Sequence, residues 1–329
     1  MKALLLPLLL LPLPLSQGEV AVRREAYQGW TETLRIDAAR PGMSLVVVPD
    51  LGGRILRYGL GGENLIFDNP DYAGKTLENT PTGTLDQGYS GYNVDLGPEI
   101  RGIPKHLPLW VGKYKILEAG PAILVRSEID PATRMEITKR IEADPLDGSL
   151  RILQTMTNRG EKDATYCLWD RTLCAGGGYA LIPLNASSGR PAGWSLLKNG
   201  KYVGENPSHP SVKVIDGVLV AKAEGASSKI GADSDGGWIA YTRGKQLLVK
   251  YFPYFPEGKY TDGGNSVELY FDPKVCELEP LSPEVTITSG RAYEFMERWL
   301  LIPLEREAAG WEEARELVKK IPPHPFKRK

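Results

Sequence analysis

Residues 134–143 read RMEITKRIEA, and residues 293–303 read YEFMERWLLIP. In the first, Met135, Ile137 and Ile141 alternate with Arg134, Glu136, Thr138 and Arg140; in the second, Tyr293, Phe295, Trp299 and Leu301 alternate with Glu294, Met296 and Arg298. Successive side chains of a strand point to opposite faces, so this two-residue period predicts strands with one face in a core and one toward water. Shorter runs of strand character stand at 45–48, 113–118, 123–129, 150–157, 212–215, 218–223, 238–242, 247–252 and 267–271, separated by turn signals such as GG, DG, NG and NRG. Strands at this spacing with no helices between them predict packed antiparallel sheets rather than alternating strand–helix units. The expected fold is all-β, a large antiparallel β-sandwich with one C-terminal α-helix.

That helix is read from EREAAGWEEARELVKKIPP, residues 305–323, where Ala308, Trp311, Ala314, Leu317, Val318 and Ile321 recur at helical spacing. Acidic residues lead, lysines close, and Pro322 and Pro323 stop it, which predicts about four amphipathic turns packed against the sandwich. At the other end, MKALLLPLLLLPLPLSQG places Lys2 before an apolar run of about a dozen residues and ends in the small residues Ser16 and Gly18, the pattern of a secretory signal peptide. The run is shorter than the roughly 20 residues a membrane span needs, and Pro7, Pro12 and Pro14 break it. The expected organisation is a signal peptide at 1–18, a sandwich domain at 19–303, and a helix with a basic tail at 304–329. The mature chain is expected to be secreted or periplasmic, with no membrane anchor once the signal is removed.

A formal net charge of −1 over 329 residues gives no electrostatic reason to expect nucleic acid as a partner. The three cysteines, Cys167, Cys174 and Cys276, allow one pair or none, and their spacing fits no zinc pattern. GADSDGG at 231–237 lacks the later glutamate of a calcium loop and reads as a turn. No metal or other cofactor is expected.

Two features point to chemistry. The segment 71–108, rich in Gly, Pro, Tyr and Asp and without clear strands, reads as a long excursion at a sheet end, the kind of loop in which sites concentrate. In CELEPLSPEVTITSG, residues 276–290, Glu277 and Glu279 stand one residue apart. In a strand they share a face, and like charges so close raise the pKa of one of them, as a general base requires.

Three stretches, MSLVVVPDLGGRILRYGLGGENLIFDNP, LQTMTNRGEKDATYCLWDRTL and SVELYFDPKVCELEPLSPEVTITSGRAYEFMERWLL, occur in this order over roughly residues 40–303. Together they resemble the galactose mutarotase-like superfamily, in particular its exported branch. The resemblance implies a β-supersandwich that binds carbohydrate on a concave sheet. It also implies an isomerase of the aldose 1-epimerase type, in which a base takes the proton of the anomeric hydroxyl while an acid protonates the ring oxygen. The family's glutamate base falls on Glu279 in ELEP, with Glu277 beside it to raise its pKa or bind a sugar hydroxyl.

The acid is where this chain departs from the family. Aldose 1-epimerases carry a histidine in a pattern like NHxYxN after the middle strand, and this chain reads CLWDRTL there. Arg171 is no proton donor near neutrality. That leaves Asp170, which would need a strongly raised pKa, or His106 in IPKHLPLW, the one histidine of three that lies in the long excursion. Trp110, Trp169, Tyr89 and Tyr92 are candidate stacking platforms for sugar rings, and Arg54, Arg171, Asp95 and Glu279 are candidate partners for vicinal hydroxyls. A non-catalytic carbohydrate-binding module that lacks the acid partner is the alternative to a mutarotase.

Overall fold

The computed structural model describes residues 20–38, 42–81, 85, 90–98 and 102–326. The expected signal segment, Tyr89 and the basic tail at 327–329 lie outside the described residues.

The strands form two antiparallel sheets. The larger, 12-stranded sheet runs Val22–Tyr27, Trp30–Ala38, Met43–Val48, Arg54–Leu60, Tyr92–Gly97, Ala164–Ala175, Val275–Pro280, Val267–Phe271, Ser228–Ala232, Ser195–Lys198, Lys201–Val203, and Val285–Ile287 pairs with one end of its central Ala164–Ala175 strand. The 10-stranded sheet runs Val212–Ile215, Val218–Lys222, Tyr179–Pro183, Trp238–Arg243, Gln246–Tyr251, Ala292–Pro303, Leu150–Asn158, Met135–Ala143, Ala122–Arg126, Lys115–Ala119. The alternation that predicts these strands also fills the space between the sheets: Met135, Ile137, Ile141, Phe295, Trp299 and Leu301 all belong to the main core. The Trp299 ring meets Tyr58 and Tyr92 of the larger sheet at 5.9 and 5.1 Å.

A second apolar cluster covers the outer face of the smaller sheet, where Leu181, Val220, Leu247 and Val249 are capped by Trp311, Ala314, Leu317, Val318 and Ile321 from the chain's end. The helix is shorter than its apolar spacing predicts. It is α-helical only over Trp311–Glu316 and closes in a 3₁₀ turn, Leu317–Lys320. Gly310 is extended, with φ −171°, and has no side chain to cap the first turn, so Ala308 reaches the same apolar cluster from non-helical backbone. No helix among the described residues is long and apolar enough to cross a membrane.

The excursion between Leu60 and Lys115 returns a strand, Tyr92–Gly97, and a short helix, Leu107–Trp110, to the larger sheet. The Gly52–Gly53 turn makes room for that helix. Both residues have positive φ, and a Cβ on Gly52 would lie 2.5 Å from the Trp110 carbonyl oxygen.

Candidate functional site

Five neighbouring strands of the larger sheet place polar side chains on its outer face, the face turned away from the smaller sheet. Register fixes the arrangement. Asp95 stands opposite Trp169, Asn93 opposite Arg171, Glu268 opposite Glu279, and Tyr270 between Glu277 and Lys229. The intervening residues Val94, Leu168, Leu278, Leu269 and Ile230 fill the core. One two-residue period therefore builds the core and the site at once.

Glu279 has no solvent exposure. It accepts a hydrogen bond from Trp169 Nε1 at 2.7 Å and pairs with Lys229 Nζ at 3.0 Å, and the same ammonium lies 3.3 Å from Glu268. Burial pushes the Glu279 carboxyl well above the usual range; Lys229 opposes this, Glu277 and Glu268 reinforce it, and Arg171 opposes it. Glu268 is also raised by burial against the pull of Lys229. Two carboxyls and one ammonium thus share a pocket in which burial works against both carboxylate charges and Lys229 offsets it.

Beside this group, Arg171 donates from Nε to Glu277 at 2.7 Å, and its Nη1 lies 3.9 Å from Asp95. Asp95 bonds His106 Nε2, and Pro104 supplies a carbonyl to His106 Nδ1 at 2.7 Å. Burial alone would raise Asp95, but His106 and Arg171 hold it below the usual carboxylate range. Burial alone would lower His106, but Asp95 outweighs it and carries the imidazole to about 9. His106 therefore holds its proton at neutral pH.

Cations and indoles alternate across the same face. Arg54 lies 4.5 Å from the Trp110 centroid, Arg171 lies 4.7 Å from those of both Trp110 and Trp169, and Lys229 lies 4.5 Å from that of Trp169. Each such contact is worth about 0.5–2 kcal/mol. Trp110 and Trp169 lie on the same face as Arg171, but they are 6% and 3% exposed and their rings meet cations, so neither is an open platform for a sugar ring.

A cavity of about 350 Å³ opens over Arg171, Glu277, Lys229 and Tyr270, with Ser227 and Ser228 at its edge. That volume falls within the range of small-molecule sites. A larger recess, about 450 Å³, lies between residues 304–308 and the C-terminal helix. Its charged side chains are exposed or half-buried, so it lacks the fixed polar groups of the first.

The structure thus brings together Glu277, Glu279, Asp95, Trp110, Trp169, Arg171 and His106. Tyr92 and Asp170 do not join them. Tyr92 shares the core phase of Val94 and Leu96 and packs edge-on against Trp299. Asp170 points between the sheets, where it accepts from Lys250 Nζ and, at 2.7 Å, from Thr172 Oγ1. Burial and Glu297 raise its pKa well above normal against the pull of Lys250, but it has no access to the outer face. Arg54 is fully buried and donates to the carbonyls of Ser90 and Trp110 at 2.7 and 3.1 Å. The residues that the sequence reading missed are Lys229, Glu268, Tyr270, Ser227 and Ser228. Glu268 and Tyr270 were within reach, since in SVELYF they alternate with Val267, Leu269 and Phe271. All three cysteines are buried free thiols, with Cys174 opposite Cys276, and among the described residues no cluster of side chains is arranged to hold a metal.

No protein-family model matches the chain, and no curated protein is similar to it in sequence. Solved structures are similar in fold. A galactose mutarotase-like protein from Clostridium acetobutylicum matches with a TM-score of 0.54 at 10% identity, covering 87% of this chain and 99% of that one. Another galactose mutarotase-like protein, from Lactobacillus casei, matches with a TM-score of 0.55 at 11% identity over 82% of this chain and 100% of that one. The Slr1438 protein of Synechocystis sp. PCC 6803 matches with a TM-score of 0.57 at 11% identity over 84% and 98%. The fold is a two-sheet antiparallel supersandwich. It is the galactose mutarotase-like fold.

Proposed function

We propose that the protein is exported and binds a saccharide on the outer face of its larger sheet, in the cavity over Arg171, Glu277 and Lys229. The observation that carries this reading is the cavity itself, about 350 Å³, placed over a cation and a carboxylate already locked together on adjacent strands. Sugar hydroxyls donate and accept at once, so a recognition site needs both kinds of group held rigidly, and the sheet supplies that rigidity. The names of the solved proteins of this fold favour the same ligand class. Export rests on Lys2 and the apolar run that follows it. Calorimetric titration with a panel of aldoses and short oligosaccharides tests the binding claim: at least one should bind saturably, and silence across the panel would overturn it. N-terminal sequencing of protein from its native host tests export, with a start near Glu19 expected and an intact Met1 contradicting it.

A mutarotase reading is favoured by one observation. His106 keeps its proton at neutral pH on the same face as Glu279, which offers the acid that the CLWDRTL stretch lacks. Glu279 would then be the base, although Lys229 and Trp169 hold its Oε2 in the resting state. Polarimetry on freshly dissolved α-anomers separates the two readings. A mutarotase loses about 10²-fold or more of its rate in Glu279→Gln and in His106→Gln, whereas a binding protein has no rate above buffer to lose.

A further inference from the structure

Resting on the saccharide reading above, we infer that the cavity selects a sugar carrying an oxyanion, a uronate carboxylate or a phosphate ester, and that Arg171 is the group that receives it. The guanidinium of Arg171 makes one hydrogen bond and one longer ion pair. Its Nε donates to Glu277 at 2.7 Å, while Nη1 stands 3.9 Å from Asp95, beyond hydrogen-bond range. Neither Nη1 nor Nη2 has a hydrogen-bond partner among the described residues, and the side chain is 16% exposed where it lines the cavity. Arg54, its neighbour across Trp110, is the contrast: its Nη1 and Nη2 both go to backbone carbonyls and it has no exposure.

What remains on Arg171 is a planar fork with its Cζ 4.7 Å from each of two indole centroids. Stacked guanidinium held by its Nε is preorganised for two parallel N–H···O bonds, the geometry matched by a carboxylate or a phosphate. The rest of the lining agrees. Lys229 adds a second cation, Ser227, Ser228 and Tyr270 add hydroxyls, and the single lining carboxylate, Glu277, already faces Arg171. Glu279 and Glu268, which would repel an anion, lie without solvent exposure against Lys229. A neutral hydroxyl pair would also meet the fork, but hydrogen bonds between neutral and charged groups lack the second charge that makes such pairs strong.

The test is calorimetric titration of the intact protein in low salt with D-glucose, D-galactose, their uronates and their 6-phosphates. At least one acidic sugar should bind about 10-fold or more tightly than its neutral parent, as expected when a neutral acceptor becomes a charged one. A preference for the uronate or for the 6-phosphate tells which oxyanion is the natural one. Arg171→Lys should reduce the acidic-to-neutral preference by about 10-fold or more, because an ammonium cannot supply the fork. Ser227 is exposed at the rim, so Ser227→Asp folds regardless of how Arg171 variants behave, and it should also reduce the preference. Neutral sugars that bind as tightly as both acidic forms would overturn the inference and leave the saccharide reading standing. A preference undiminished in Arg171→Lys and Ser227→Asp would overturn the role given to Arg171. No binding by any sugar in the panel would remove the saccharide reading and this inference together.

Discussion

The central Ala164–Ala175 strand has the same arrangement of charges on both of its faces. Between the sheets, Lys250 lies between Asp170 and Glu297, sits 4.7 Å from the Trp299 centroid, and Trp299 Nε1 donates to Glu297 at 2.7 Å. On the outer face, Lys229 lies between Glu268 and Glu279, sits 4.5 Å from the Trp169 centroid, and Trp169 Nε1 donates to Glu279 at 2.7 Å. A lysine, two carboxylates and an indole do the same electrostatic work in each place. What differs is access: Lys250, Asp170 and Glu297 have no exposure, whereas Lys229 is 8% exposed and lines a cavity with Arg171. The inner cluster is sealed by both sheets and joins them. The outer one has a sheet on one side and an open cavity on the other.

The comparison can be broken most sharply at the lysines. Lys250→Met leaves two carboxyls buried without their cation, a loss of roughly 3–5 kcal/mol, and the melting temperature should fall by roughly 5–15 °C. Saccharide affinity measured well below that transition should be retained. Lys229→Met should cost less stability, on the order of 1–2 kcal/mol, because the adjoining cavity lets water reach the site, and it should weaken ligand binding. Equal losses of stability in the two variants would show that the outer cluster is as structural as the inner one.

A pH scan sharpens the same contrast. His106 is raised from 6.5 to about 9 in the folded protein. The stability it contributes is therefore fully present below about pH 6.5 and is lost as pH rises through about 9, by up to about 3 kcal/mol. Asp95 is lowered on folding, so its contribution is present above the ordinary carboxylate range and is lost as pH falls through its depressed value. Urea denaturation at pH 6 and pH 9.5 measures the alkaline loss, and His106→Gln should flatten it. An unchanged alkaline slope in that variant would place the titration elsewhere.

Much of this molecule is legible as alternation. The strands Val212–Ile215 and Val267–Phe271 coincide with the runs read from sequence, and Leu150–Asn158 and Trp238–Arg243 differ by one residue at one end. The same parity places Trp169 and Arg171 on one face and Asp170 on the other, and it sends Tyr92 to the core with Val94 and Leu96. Those assignments were within reach of the sequence once phase is followed strictly. The charged residues in the core phase were not. Lys139 stands in step with Met135, Ile137 and Ile141, and Glu297 with Phe295 and Trp299; both are fully buried. A polar group in that position is tolerated only with partners, and these come from remote strands: Asn93 and the Gly52 carbonyl for Lys139, whose pKa burial pushes well below the usual ammonium range, and Lys250 and Gln154 for Glu297. Lys229 was invisible for the same reason, because its meaning depends on Glu268 and Glu279, tens of residues away in sequence.

The outer cluster, through Arg171 and Glu277, is the proposed ligand site. The most direct measurement is the affinity of Glu277→Gln for the best-binding saccharide, taken together with its melting temperature. The amide keeps the shape of the side chain and removes its charge, leaving Arg171 Nε a neutral acceptor in place of a carboxylate. The account predicts affinity weaker by about 1.5–3 kcal/mol, the worth of a hydrogen bond to a charged group, with the melting temperature within a few degrees of the parent. Unchanged affinity combined with a fall in melting temperature like that of Lys250→Met would contradict it and make the outer cluster a second structural clasp.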